Sequence, residues 1–274
     1  MKFKALFFTI NIVLILAFLS IFFLPLFLVS SSYVLPFWRH TLYFPLLALV
    51  VLAVINMIFA MNWTMLTLLE REDWPALAQY LERRVFESKR YSLRHARLLC
   101  DSLVLVGDFA AIDSLEALLA QNKPRLYRRL ASRFAAIAVL TGKYSRSRDI
   151  CAQALQNRTF LGGYPRAMLQ LYQGLSLYLD RDLSAAMEVF LSLLQHTRDP
   201  LITAFVGYVL SRIGERRQSL APAALSASVD AKKRLKAQFG SKQWIRYLDR
   251  EKSDMEVVLL GKLADETTRW LLSE

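Results

Sequence analysis

A long run without charge near the N-terminus restricts the possible folds more than any other feature of the sequence. No charged residue occurs between Ala5 and Trp38, and residues 5–29 are almost all Leu, Ile, Phe or Val. A helix of this length exceeds the roughly 30 Å hydrocarbon core of a bilayer, because each residue adds about 1.5 Å. The run therefore predicts a first membrane-spanning helix over residues 5–29.

A second uncharged run covers residues 42–69 and contains an apolar core at 46–61, which predicts a second span. Asn11 and Asn56 are the strongest polar side chains of the two runs, and Asn56 is expected to join the spans by a side-chain hydrogen bond. A cleaved signal peptide is the alternative for the first run. The apolar stretch is longer than the roughly 7–15 residues usual in signal peptides, and no A-x-A cleavage site follows it.

Lys and Arg residues are unevenly placed around the two predicted spans. Lys2 and Lys4 precede the first span, and Arg39 is the one basic residue of the predicted hairpin at residues 30–44. Beyond the second span come seven basic residues, Arg71, Arg83, Arg84, Lys89, Arg90, Arg94 and Arg97. The positive-inside rule then predicts a two-span protein of the cell inner membrane, with both termini in the cytoplasm.

The rest of the chain has apolar residues at helical spacing, and no segment has the alternation of a strand. All 23 acidic residues lie beyond residue 61, so this part carries enough charge for solubility. Turn signals at Gly107, Gly142, Arg181 and Gly214 follow one another at intervals of 35, 39 and 33 residues. The predicted fold class is all-α: two transmembrane helices followed by an α-solenoid of helical hairpins.

The turns Gly107-Asp108-Phe109 and Gly142-Lys143-Tyr144 resemble the inter-helix turns of tetratricopeptide (TPR) repeats. A small residue stands seven positions before each turn, as that repeat needs where its two helices cross, namely Cys100, Ala135, Gly174 and Gly207. Two departures are Arg181 in place of a turn glycine and Glu116 in place of an aromatic residue. The resemblance implies three degenerate repeats and a partial fourth over residues 90–225. Two spans followed by such repeats also resemble the architecture of the bacterial HemY family.

The tail has a different pattern, with three further helices predicted at residues 231–239, 242–250 and 255–272. The last has one apolar face and is expected to cap the final hairpin. The predicted domains are a two-span anchor at 1–69, a TPR-like repeat domain at 70–228 and a helical cap at 229–274.

Four arginines on the first helices of the repeats are the candidate partner-binding residues, namely Arg94, Arg97, Arg129 and Arg133. In the repeat register, Arg94, Arg97 and Arg129 would face the concave groove, where TPR domains commonly take peptides. Guanidinium groups there can clamp an acidic segment or a terminal carboxylate. The alternative is a solvated basic face beside the anionic lipid bilayer.

Catalytic, cofactor and metal sites are not predicted, because no histidine stands near a cysteine or carboxylate at ligand spacing and Gly142-Lys143 lacks the upstream glycine of a P-loop. Nucleic acid is not an expected partner, because no aromatic residues alternate with the lysines near residue 233. The prediction is a non-enzymatic adaptor, scaffold or assembly factor for a protein partner, either an acidic peptide or a subunit of a membrane complex. The alternative is a non-catalytic subunit of a membrane enzyme complex.

Overall fold

A computed structural model describes residues 2–28, 43–88, 91–156, 163–252 and 254–273. Every regular element among them is a helix, which confirms the predicted all-α fold. The chain divides into two compact units, Met1–Arg90 and Tyr91–Glu274. Residue 29 of the predicted first span and residues 30–42 of the predicted hairpin lie outside the described residues.

The first unit contains α1 (Lys2–Leu28), α2 (Tyr43–Glu70) and α3 (Trp74–Glu82), which continues in a π-helical turn at Arg83–Glu87. The helices of the second unit are α4 (Leu93–Val106), α5 (Phe109–Asn122), α6 (Pro124–Leu140), α7 (Tyr144–Leu155), α8 (Gly163–Leu179), α9 (Leu183–His196), α10 (Pro200–Arg216), α11 (Ala221–Gln238), α12 (Ser241–Glu251), α13 (Met255–Leu259) and α14 (Gly261–Leu272).

Helices α1 and α2 pack against each other as an antiparallel pair. The Nδ2 of Asn56 donates to the Oδ1 of Asn11 at 2.7 Å, which confirms the predicted hydrogen bond between these helices. Close by, the ring centroids of Phe7 and Phe59 are 4.8 Å apart. The segment Leu49–Glu70 is long and apolar enough to cross a membrane, whereas the apolar run Ala5–Ser20 of α1 is shorter. Length and composition of the described residues therefore give one candidate span where the sequence predicted two.

The same turn joins four successive pairs of helices in the chain. Its first residue adopts the left-handed conformation, at Glu72 (φ 55°), Gly107 (φ 80°), Gly142 (φ 74°) and Arg181 (φ 66°). The amide of the next residue then donates to the carbonyl five residues back, which closes a Schellman-type helix end. These hydrogen bonds are Asp73 to Leu68 (3.1 Å), Asp108 to Leu103 (3.0 Å), Lys143 to Ala138 (2.8 Å) and Asp182 to Leu177 (3.0 Å). The turns predicted at residues 107, 142 and 181 are confirmed, and the one at Glu72 is additional.

The turn predicted at Gly214 is wrong, because α10 continues through it to Arg216. A Cβ atom on Gly214 would lie 2.7 Å from the Cγ of Leu225, so the glycine allows α11 to pack closely against α10. Helix α11 is continuous over 18 residues, and the fourth hairpin is therefore complete instead of partial. The predicted boundary at residues 228 and 229 falls inside this helix.

The second unit is a row of hairpins whose small residues lie where the helices cross. Cys100, Ala135, Gly174 and Gly207 are all buried, as expected. A Cβ atom on Gly174 would collide with the Phe190 ring of α9. Close approach of the paired helices therefore depends on these positions.

The C-terminal segment differs from the single helix predicted over residues 255–272, because it breaks at Leu260 into α13 and α14. Helix α14 packs against α10 and α11, the position expected of a cap. Helix α13 packs instead against α6, the first helix of a hairpin far from the chain's end. The C-terminal segment therefore returns to pack against α6 and α10, which are each the first helix of a hairpin. Twelve of the 17 residues of α10 are buried.

Candidate partner-binding site

The returning segment meets α4 and α6 in a cluster of charged side chains, called here the charged cluster. It consists of Arg97 and Asp101 from α4, Arg133 from α6, and Asp254 and Glu256 from the C-terminal segment. The Nη2 of Arg133 lies 3.2 Å from Oδ1 of Asp254, and its Nη1 pairs with Asp101. The Nη2 of Arg97 lies 3.2 Å from the other oxygen of Asp254. Arginines on two different helices thus hold one carboxylate.

Local structure fixes the orientation of the acidic residues in this cluster. Asp254 is the N-cap of α13, and its Oδ1 also accepts from the amide of Glu256 at 3.1 Å. The Oε1 of Glu256 accepts from the hydroxyl of Ser132 at 2.8 Å. Because Ser132 and Arg133 are neighbours on α6, one turn of that helix binds both acidic residues of the segment.

Burial governs the protonation of the cluster. Only 4% of the Arg133 side chain is exposed, and Glu256 is buried as well. Burial raises the pKa of Glu256, opposed by the Ser132 hydrogen bond and by Arg133. Burial also raises the pKa of Asp101 against the attraction of Arg133 and Arg97. Two guanidinium groups face three carboxylates, so the cluster carries one negative charge in excess when all are ionised.

The structure separates the four predicted arginines into two pairs. Arg97 and Arg133 meet at Asp254 and are engaged within the chain. Arg133 is therefore a buried structural residue in this state, which differs from the exposed partner contact that was predicted. Arg94 and Arg129 are exposed, and neither forms an ion pair with any residue in the described part of the chain. They lie three and four residues before Arg97 and Arg133, on the same faces of α4 and α6.

Sequence reasoning missed the acidic half of the cluster. Asp254 lies 121 residues from Arg133 along the chain, and 157 from Arg97. No local pattern marks residues that far apart as partners. The one available signal was the N-cap position of Asp254 before an apolar run, which predicts a helix start but not its contact.

Cys100 and Cys151 are both free and buried. Burial raises the pKa of both Cys100 and Cys151 to about 12. Each thiol is therefore protonated at neutral pH and unreactive as a nucleophile.

Comparison with known proteins gives a family but no solved structure that matches. A family described as "Uncharacterised Treponema protein" matches residues 111–273. A protein of Treponema pallidum (strain Nichols), described as "Uncharacterized protein", is 31% identical over an alignment of 238 residues that covers 83% of this chain and 74% of the relative. The chain belongs to this Treponema family. No solved structure matches it.

The matched region of the Treponema family coincides with the part of the fold that forms the returning contact. It begins within α5 and ends with α14, so it contains Arg133, Asp254 and Glu256. Arg97 and Asp101 precede the region that defines the family. The face formed by α4 and α6 can bind carboxylates through guanidinium groups.

Proposed function

We propose that this member of the Treponema family is a membrane-anchored adaptor whose TPR-like unit binds an acidic segment of a protein partner. One observation carries the proposal: the face of α4 and α6 already holds an acidic segment, because Arg97 and Arg133 share the carboxylate of Asp254. Charge-assisted contacts of this kind are among the stronger hydrogen bonds in proteins. The chain's own segment thus provides an example of the ligand chemistry.

The repeated turn supports the TPR-like assignment of the helical unit. Left-handed residues recur at Glu72, Gly107, Gly142 and Arg181, separated by 35, 35 and 39 residues. The separations fit a repeat of about 34 residues built from a helical hairpin. Small residues at the helix crossings support the same assignment.

The proposed anchor has two membrane spans. Helix α2 contains a segment long and apolar enough to cross a bilayer. Helix α1 has 27 residues and no charged residue after Lys4, which supports a second span. The Lys and Arg distribution favours the inner membrane with both termini in the cytoplasm. Reporter fusions after Glu274 and at residues 30–32 should report opposite sides of the membrane, and fusions reporting the same side would contradict this topology.

Arg94 and Arg129 are the arginines that a partner can reach while the C-terminal segment stays in place. They are exposed, and they extend the basic face by one helical turn beyond the charged cluster. A partner carboxylate bound there would lie beside Arg97 and Arg133 without displacing Asp254. The proposed contact therefore involves the two outer arginines, whereas the two inner ones maintain the fold.

The test is a crosslinking pull-down from detergent-solubilised membranes, in which no bilayer remains to attract basic residues. The double variant Arg94→Ala, Arg129→Ala should lose a protein that wild type captures, since each charge-assisted contact supports about tenfold or more in affinity. The matched control is Lys233→Ala, Lys242→Ala, which removes two exposed positive charges from α11 and α12. The control should keep the partner. Capture of the same proteins by the arginine variant and by wild type would reject the proposed face.

A further inference from the structure

A cavity lies away from the charged cluster, between the C-terminal ends of α6, α8 and α10 and the returning segment. Its volume is about 500 Å³, within the roughly 300–1,000 Å³ typical of small-molecule sites. Its lining includes six aliphatic residues, Val139, Leu140, Leu175, Leu179, Leu259 and Leu263, together with Tyr178 and Tyr208. Every side chain of the wall belongs to the second unit, so this unit alone defines the cavity, called here the leucine cleft.

The leucine cleft has a buried floor and an apolar mouth. Leu175 and Val209 are buried at the floor, whereas Leu140 is 51% and Leu179 is 43% exposed. Exposed leucines beside a preformed apolar cavity leave apolar area in water, and a ligand chain that removed this area from water would be stabilised by the hydrophobic effect. The shape and chemistry of the cleft therefore favour a long aliphatic group.

Basic side chains also line the cleft. Arg212, Arg216 and Lys262 are exposed there, and one carboxylate of the lining, Glu266, accepts from the hydroxyl of Tyr208 at 2.9 Å. The guanidinium of Arg216 lies 5.1 Å from the centre of the Tyr178 ring. Lys262 forms no ion pair with any of the described residues. Even with Arg212 paired to Glu215 at 2.5 Å, the cleft keeps a net positive charge.

We propose that the leucine cleft binds a free, single-chain anionic amphiphile of the fatty-acid class. The acyl chain lies among the leucines, and the carboxylate is held by Arg216 and Lys262. A peptide backbone laid along the aliphatic residues is a poorer fit, because each of its buried amides needs a hydrogen-bond partner that those side chains cannot supply. An acyl chain needs none. The assignment is independent of the proposed adaptor function, since the charged cluster takes no part in it.

The test uses the full chain in phosphatidylcholine nanodiscs with a photoreactive palmitate as the probe. After illumination, labelled peptides are mapped by mass spectrometry. Wild type should be labelled in the peptides that carry Leu140, Leu179 and Leu259. In Leu179→Trp, a bulkier side chain fills the mouth, and labelling of these peptides should fall to background.

Leu105→Trp is the matched control, because Leu105 lies outside the cleft on α4 and is similarly exposed, at 47%. It should be labelled like wild type. Labelling confined to α1 and α2, or equal cleft labelling in both tryptophan variants, would overturn the site. Circular dichroism spectra that match wild type establish that each variant is folded.

A second arm tests the charge. Arg216→Ala, Lys262→Ala should reduce cleft labelling by about tenfold or more, whereas the control pair Lys233→Ala, Lys242→Ala should not. A photoreactive fatty alcohol of the same chain length should label the wild-type cleft about tenfold less than the acid does. Equal labelling by alcohol and acid would overturn the anionic class. Preferential labelling of the cleft by a photoreactive phosphatidylglycerol would overturn the assignment of a free fatty acid as the ligand and would indicate a bilayer lipid instead.

Discussion

Helices α2 and α10 are both rich in apolar residues, yet the apolar surface is mostly exposed on α2 and mostly buried on α10. Leu46 and Met57 of α2 are 64% and 63% exposed, and most of the described residues between them are exposed as well. Helix α10 buries twelve of its 17 residues beneath other helices of its own unit. Apolar composition therefore indicates that a helix must be covered, but it does not indicate by what.

Length and side-chain size distinguish the two helices. Helix α2 has 28 residues, enough to cross a bilayer, whereas the 17 residues of α10 fall near the lower limit for a span. Helix α10 also carries Gly207 and Gly214, whose missing Cβ atoms make room for Ala231 and Leu225 of α11. Close protein packing explains the burial of α10, and a lipid environment suits the exposed surface of α2.

The largest expected effect comes from breaking the contact that returns the C-terminal segment across the second unit. Arg133→Ala leaves Asp101 and Asp254 without their buried partner, so unfolding should require about 3–5 kcal/mol less. Urea denaturation of the detergent-solubilised chain, followed by circular dichroism, measures the change. Arg129→Ala, one turn earlier on the same helix and exposed, should change the free energy by no more than about 0.5 kcal/mol. Equal effects of the two substitutions would show that the charged cluster does not stabilise the fold.

The next effect concerns the close packing that typifies the second unit. Gly174→Ala places a methyl group against the Phe190 ring. It should lower the free energy of unfolding by about 1–3 kcal/mol, because neighbouring side chains in a packed core have little room to move. Gly261→Ala is the control, since a Cβ atom there would meet no atom within 4 Å. The same denaturation assay should show Gly261→Ala as neutral or slightly stabilising. An unchanged midpoint for Gly174→Ala would place the helix crossing elsewhere.

A smaller effect is expected in the first unit, where a hydrogen bond between Asn56 and Asn11 joins the two long helices. Asn56→Leu removes that bond and should lower the free energy of unfolding by about 0.6 kcal/mol. The upper limit for such bonds in membrane proteins is about 1.7 kcal/mol. Asn62→Leu is the control, because Asn62 donates to the Ile58 carbonyl within its own helix. A double-mutant cycle with Asn11→Leu in detergent measures the coupling. A coupling energy of zero would remove the asparagine pair as a link between α1 and α2.

The smallest effect is a dependence on pH. Burial raises the pKa of Glu256 above its ordinary value of 4.5, so its ionised form costs stability in the folded state. Because the folded state binds this proton more tightly than the unfolded state does, Glu256 contributes stability at low pH. This contribution is fully present below pH 4.5 and is lost as the pH rises through the raised pKa. Wild type should therefore gain stability relative to Glu256→Gln as the pH falls from 7 toward 4.5. Exposed Glu215→Gln is the control for loss of a carboxylate, and an identical pH profile for the two variants would contradict the effect of burial.

Signals within a few residues of one another were enough to predict the helical class and most turns. Gly107 and Gly142 adopt the left-handed conformation that glycine tolerates, and Arg181, which is the next predicted turn of the series, adopts it as well. The turn at Glu72 was missed because no glycine marks it. Its signal is Asp73, which caps the next helix through Ala76 at 3.2 Å, as Asp108 and Asp182 cap theirs.

Tertiary structure alone decided the role of the arginines and of Gly214. The sequence placed Arg97 and Arg133 on a binding face, but it contained no local sign that Asp254 would return more than 120 residues later to occupy them. Gly214 could equally mark a turn or a close helix crossing, and only the position of Leu225 distinguishes these roles. Helices and their ends depend on hydrogen bonds between near neighbours, which the sequence displays directly. Which carboxylate meets which guanidinium depends on how whole helices pack, and that is settled by the free energy of the complete fold.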